Sequence, residues 1–152
     1  MILFYIRHGA PTYNPDKLLP LGHSQAEALA KRLALFGVDE IYASSSTRAI
    51  ETAEHTARLV NKEVIPLDWM HENLAGKELG IPLSDNKRLW SFVHPDYVPI
   101  LASREVRDMG ERWYEHPALA DFHFERSMQR IGSEMDNWLA SLGLEHDREK
   151  GM

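Results

Sequence analysis

The chain has 152 residues, of which 43% are hydrophobic and 26% charged, the proportions of one soluble globular domain. Seventeen Lys and Arg against 23 Asp and Glu leave a net charge of −6, which excludes the broad basic face of a nucleic-acid binder and predicts little attraction to anionic membranes. There is no cysteine, so disulfides and thiolate chemistry are excluded too. No run approaches the roughly 20 apolar residues of a membrane span. The opening residues lack the basic and long apolar parts of a secretory leader, so a cytoplasmic location is expected.

Ile2-Leu3-Phe4-Tyr5-Ile6 is an unbroken apolar run, the pattern of a strand covered on both faces. A loop follows from Gly9 to Gly22. Ser24 and Glu27 then form an S-x-x-E capping box, with Ala26, Leu29, Ala30 and Leu33 behind it at helical spacing and Gly37 as the stop. Glu40 to Ala43 reads as a second strand. Ser44, Ser45 and Ser46 offer caps for a second helix, whose inner face is expected at Ala49, Ala53, Ala57 and Val60. Glu63 to Leu67 is a third strand, shortened by Pro66. This alternation predicts parallel strands joined by right-handed crossovers.

From Trp69 to Ala120 the pattern loosens. Pro82, Pro95, Pro99 and Pro117 divide it into short helices and loops, with Leu89, Trp90, Phe92 and Val93 as anchors. The last helix is marked by Phe124, Met128, Ile131, Met135, Trp138 and Leu142, capped by Asp121 and ended by Gly143. Its Met and Trp stripe is read as packing.

In parallel α/β sheets ligands bind beyond the carboxyl ends of the strands. Arg7, His8 and Gly9 follow the first strand, the serines and Arg48 the second, and His71 and Glu72 the third. Two guanidiniums, an imidazole and a carboxyl therefore converge on one sheet edge. That set suits phosphoryl transfer. Arginine presents a planar fork to phosphate oxygens, helix N-termini add N–H donors, and a neutral imidazole can attack phosphorus. A carboxyl beside the leaving group can supply its proton. Taken singly these residues say little: an Arg-His-Gly triplet arises by chance in about one percent of chains this long, and most arginines and glutamates are solvated surface groups. Their shared position is what carries the reading.

At these residues the chain resembles the histidine phosphatase superfamily, which includes the cofactor-dependent phosphoglycerate mutases. Arg7-His8-Gly9 resembles its nucleophile motif, and Asn14 lies where a pocket asparagine is common. Pro20-Leu21-Gly22-His23-Ser24-Gln25-Ala26 resembles its P-x-G-x-x-Q-A helix start, and Ser44, Arg48-Ala49 and Thr52-Ala53 resemble its second arginine motif. Glu72, Gly76 and Gly80 follow the spacing around its acid. The likeness runs from Arg7 to Gly80. Leu19 stands where Thr is common, and Ala10-Pro11 where Glu-Thr is common.

The resemblance implies a three-layer α/β/α fold with a mainly parallel sheet, as one domain over residues 1–152 with a helical insertion at about 81–120. It implies His8 as nucleophile, Glu72 as proton donor, and Arg7, Arg48 and Asn14 as phosphate ligands, acting on a small phosphorylated metabolite or phosphate ion without metal or cofactor. The family also has a second pocket histidine, in a His-Gly pair after a late apolar strand. Residues 144–152 hold no such strand, and His94, His116, His123 and His146 lack one before them. The chain is therefore expected to lack the last strand, with feeble activity, since losing one pocket donor costs about 10²–10³ in rate. The missing strand lies beside the first one in the family, so Ile2 to Ile6 is expected to expose an apolar edge that favours a homodimer.

Phosphatase and mutase remain open alternatives, because both begin with the same phosphoenzyme. A non-catalytic phosphate-binding or regulatory domain is a rival from another class. A metal site built from the eight histidines is the weakest reading, as there is no H-E-x-x-H pattern.

Overall fold

The computed structural model describes residues 2–83 and 88–144. The chain is α/β, and its contacts divide it after His71 into two compact units.

The first unit begins with a hairpin, β1 (Pro11–Tyr13) and β2 (Asp16–Leu18), paired antiparallel with Tyr13 opposite Asp16. Helix α1 (Pro20–Leu33) follows, then strand β3 (Ile41–Ser44), helix α2 (Thr47–Val60) and strand β4 (Val64–Leu67). β3 and β4 are parallel, with Ile41 opposite Val64 and Ser44 opposite Leu67, so α2 is the crossover of a β-α-β element. Asn61 ends α2 in the left-handed conformation (φ 55°). The core of this unit holds Leu18, Ala26, Ala30, Leu33, Ile41, Ala43 and Ala57. α1, with Gly22, Ala26, Ala30 and Leu33 buried, packs against α2.

Three expectations for this region need correction. Ile2 to Ile6 forms no strand: Ile2 is 78% and Tyr5 82% exposed. A strand needs a neighbour for its N–H and C=O groups, and among the described residues β3 pairs with β4 alone. Phe4 rests on Phe36, with ring centroids 5.6 Å apart. The capping box is also absent. α1 begins four residues before Ser24, at Pro20, whose fixed φ and missing N–H suit the first turn, and the Ser24 hydroxyl donates back to the Pro20 carbonyl. Finally, the buried face of α2 is Arg48, Thr52, Thr56 and Ala57, not the alanine stripe through Ala49 and Ala53. Rotating the helix this way puts polar groups inward, and they are used there.

The second unit contains helix α3 (Glu72–Leu79), the antiparallel pair β5 (Gly80–Pro82) and β6 (Arg88–Trp90), short helices α4 (Val98–Leu101) and α5 (Arg104–Asp108), and helix α6 (Phe124–Ser141). Val106, Leu119, Phe124 and Leu139 are buried. Tyr97, Phe122, Phe124 and Trp113 pack ring on ring, at centroid separations of 4.7 to 5.3 Å. Arg130 of α6 donates to Glu78 of α3 through Nε and Nη2, at 3.3 and 3.1 Å. α6 ends as its glycine predicts. Gly143 takes φ 74°, its N–H donates to Ala140, and the Leu144 N–H donates to Leu139, a Schellman closure. The cap is His123 in place of Asp121, and the expected stripe is only partly inward, because Met128 and Ile131 are 47% and 43% exposed while Ser127 is buried.

Candidate active site

The Arg-His-Gly triplet sits in a loop without secondary structure, so its shape is set by side chains from the two helices behind it. Gly9 is buried, and its N–H donates to the Thr52 hydroxyl of α2 at 3.1 Å. That hydroxyl in turn donates to the Arg48 carbonyl at 2.7 Å. The next N–H, of Ala10, donates to Oε1 of Gln25 on α1 at 2.8 Å, while the Ala10 carbonyl accepts from the Leu19 N–H. Glycine is required on both sides of this clamp. A methyl at Gly9 would stand 2.6 Å from the Gly22 carbonyl oxygen, and one at Gly22 would strike the Ala10 carbonyl.

His8 is half-buried, and its Nδ1 lies 2.8 Å from the Gly9 carbonyl oxygen. A carbonyl only accepts, so Nδ1 carries the proton of the neutral ring and Nε2 keeps the lone pair. This is the tautomer a nitrogen nucleophile needs. Arg7 beside it is exposed.

Arg48, on the first turn of α2 and 6% exposed, is the one buried charged residue among the described residues. Its Nη1 donates to Oδ1 of Asp16 at 2.9 Å, and its guanidinium carbon lies 5.1 Å from the centre of the Tyr13 ring. Oδ2 of Asp16 accepts from the Thr47 N–H at 2.8 Å. Partial burial pushes the Asp16 carboxyl upward, but the Arg48 hydrogen bond and charge, with the Thr47 and Arg48 N–H groups, outweigh it and hold the carboxyl below the usual range. Glu51, one position before Thr52, accepts from the Leu18 N–H at 2.6 Å and ties the base of the hairpin to α2.

Of the residues singled out in the sequence, the fold links His8 to Arg48 through one glycine and one threonine. Asn14 is exposed in the turn of the β1–β2 hairpin, two residues from Asp16. Glu72 is the first residue of α3, exposed, in the second unit. Sequence reasoning did not single out Asp16 or Tyr13, and named Thr52 only as part of a motif. For Thr52 a signal existed, since it stands one helical turn from Arg48 on the same face. For Asp16 the signal was faint: an acid in a Pro- and Asn-rich loop resembles any turn residue.

His8 and Arg48 thus stand at the two ends of one hydrogen-bonded chain beside the β-α-β element. The profile of the histidine phosphatase superfamily (branch 1) matches residues 3–147, and the chain belongs to that family. It is similar to a probable phosphatase of Schizosaccharomyces pombe, 31% identical over 109 residues, which cover 64% of this chain and 51% of that protein. It is also similar to a putative phosphoserine phosphatase of Hydrogenobacter thermophilus, 23% identical over 95% of this chain and 68% of that protein. Among solved structures, a phosphoserine phosphatase from Entamoeba histolytica in complex with 3-phosphoglyceric acid aligns with 64% of this chain and 50% of its own, at 24% identity and a TM-score of 0.43. The chain thus spans about half the length of the yeast relative. Among the described residues no helix is long and apolar enough to cross a membrane.

Proposed function

We propose that the chain is a phosphomonoester phosphatase acting on a small phosphorylated metabolite through a phosphohistidine at His8. The observation that carries this is the placement of that imidazole. Its Nδ1 proton is engaged by the Gly9 carbonyl, and its loop is hydrogen-bonded to the same threonine that holds Arg48. In the first step Nε2 of His8 bonds to phosphorus as the ester P–O bond breaks, and the leaving oxygen takes a proton from Glu72. In the second, water attacks the phosphohistidine, its proton passes to the Glu72 carboxylate, and phosphate departs with the imidazole restored. Arg48, Arg7 and Asn14 hold the phosphoryl oxygens, with the arginines balancing their charge. Both relatives above are named phosphatases, which supports water over a second hydroxyl as the acceptor.

Hydrolysis of an aryl phosphate by the wild-type chain and by His8→Ala tests the proposal, with acid-labile phosphate on the protein trapped by rapid quenching. Turnover and labelling that both vanish in His8→Ala are the expected result. Turnover that survives in the variant refutes it, and phosphate binding without turnover in either chain favours a non-catalytic binding domain.

A further inference from the structure

We propose that Asp16 is a built-in competitor: its carboxylate occupies the place on Arg48 that substrate phosphate takes, so that substrate binds by displacing it. This deepens the proposed function and rests on Arg48 being a phosphate ligand. Asp16 uses the two groups in this unit best suited to an oxyanion. One oxygen takes the terminal Nη1 of a buried guanidinium, and the other takes the first backbone N–H of a 14-residue helix, at 2.9 and 2.8 Å. A phosphoryl group that takes Nη1 of Arg48 and the Thr47 N–H enters the same space, and two anions cannot share it without strong repulsion.

The surroundings fit exchange. The Asp16 side chain is 29% exposed while that of Arg48 is 8% exposed, so the carboxylate has a route to water and the guanidinium stays in place. β1 and β2 are three residues each, and the hairpin is anchored at its far end, where Leu18 is buried and its N–H is held by Glu51. The tip, with Tyr13, Asn14 and Asp16, can therefore yield while the base remains. A phosphate dianion brings twice the charge of the carboxylate and can win the exchange.

The opposite role, with Asp16 merely orienting Arg48, makes the opposite prediction. Inorganic phosphate binding is measured by calorimetry on the wild-type chain, Asp16→Asn and Arg48→Ala. Asparagine keeps the shape and still accepts from the Thr47 N–H. Asp16→Asn should tighten phosphate binding about tenfold, the factor carried by one charge-assisted hydrogen bond at a part-exposed position, and Arg48→Ala should abolish it. If Arg48→Ala abolishes binding but Asp16→Asn weakens it or leaves it unchanged, Asp16 is a positioning residue and the inference falls while the proposed function stands. If Arg48→Ala changes nothing, Arg48 is no phosphate ligand and both fall. A measurement on the unaltered chain guards against a misfolded variant. The carbon-13 resonance of the Asp16 carboxyl should move in step with phosphate saturation, and a resonance that stays fixed at saturation overturns displacement.

Discussion

Replacing Thr52 with valine removes one hydroxyl and nearly nothing else. Thr52 is 7% exposed, and valine matches its volume and branching. The hydroxyl has two bonds, but they are unequal in consequence. The Arg48 carbonyl already serves the α-helix ladder, so it loses only a second partner. The Gly9 N–H, buried and bonded at 3.1 Å, loses its acceptor. An orphaned buried donor costs about 1–3 kcal/mol, and the length of this bond places the expected loss near about 1.5 kcal/mol. The larger effect is on chemistry, because Gly9 also fixes the His8 ring through its carbonyl. Loosening the loop lets the imidazole leave its attacking orientation, and misplacement of about 1 Å costs on the order of 10²-fold in rate. Urea unfolding and kcat/KM on an aryl phosphate read the two effects. Thr52→Ser is the control, since it keeps the hydroxyl and loses a methyl. Valine should be much slower than serine. Equal activities in the two variants would show that the threonine holds neither loop nor nucleophile, and the reasoning would be wrong.

Gly9→Ala should unsettle the loop by about 1–3 kcal/mol, because its methyl meets backbone at 2.6 Å and backbone cannot swing aside; an unchanged unfolding midpoint refutes the clash. Glu78 is held below the usual carboxylate range, first by its hydrogen bond from Arg130, against burial and with help from Ser127. A lowered folded value means its stabilisation is full above the ordinary glutamate range and is lost as pH falls through the lowered one. Acid titration followed by circular dichroism should therefore show less acid-dependent loss in Arg130→Met than in the wild-type chain. His55 is pushed below the usual imidazole range, first by burial, then by Arg58 and by His23, whose Nδ1 lies 3.1 Å from its Nε2. Here protonation is resisted by the folded state, so stability falls as pH drops through the ordinary histidine range; NMR titration should find His55 low and His23→Ala should bring it partly back. Ile2 to Ile6 is exposed and unladdered, so light scattering should show concentration-dependent association that Leu3→Lys with Ile6→Lys suppresses; a clean monomer at high concentration argues against it.

What was legible in the sequence was local. Gly143 and the apolar periods near Leu33 report backbone geometry within a turn of themselves, and α2, α6 and the parallel β3–β4 pair fell within a few residues of expectation. Arg48 was legible through motif resemblance. The failures at residues 2–6, on the face of α2 and at Asp16 share one cause: each depended on a partner distant in the chain. Ile2 to Ile6 has the composition of a buried strand, but a ladder is a property of two segments. The face of α2 was misjudged because alanines read as core, whereas the loop above needs a hydroxyl from Thr52 and the hairpin needs a charge from Arg48. Asp16 was invisible for the same reason, its partner lying 32 residues away.

The lack of a strand over residues 2–6 bears on how the site is held. In a sheet-based site, a nucleophile at a strand end takes its position from the ladder behind it. Here the residues before His8 have no ladder among the described residues, and Gly9 and Ala10 are held from the other side. Two consecutive N–H groups, of Gly9 and Ala10, are taken by side chains of two different helices, and the glycine contact with Gly22 allows the loop to sit against α1. Those helices pack directly against each other. The positioning of His8 and Arg48 is thus an α1–α2 property. Lysine substitutions at Leu3 and Ile6 that suppress association should leave phosphate affinity within about twofold of wild type, whereas Gln25→Ala, which removes one side of the clamp, should weaken catalysis without changing association.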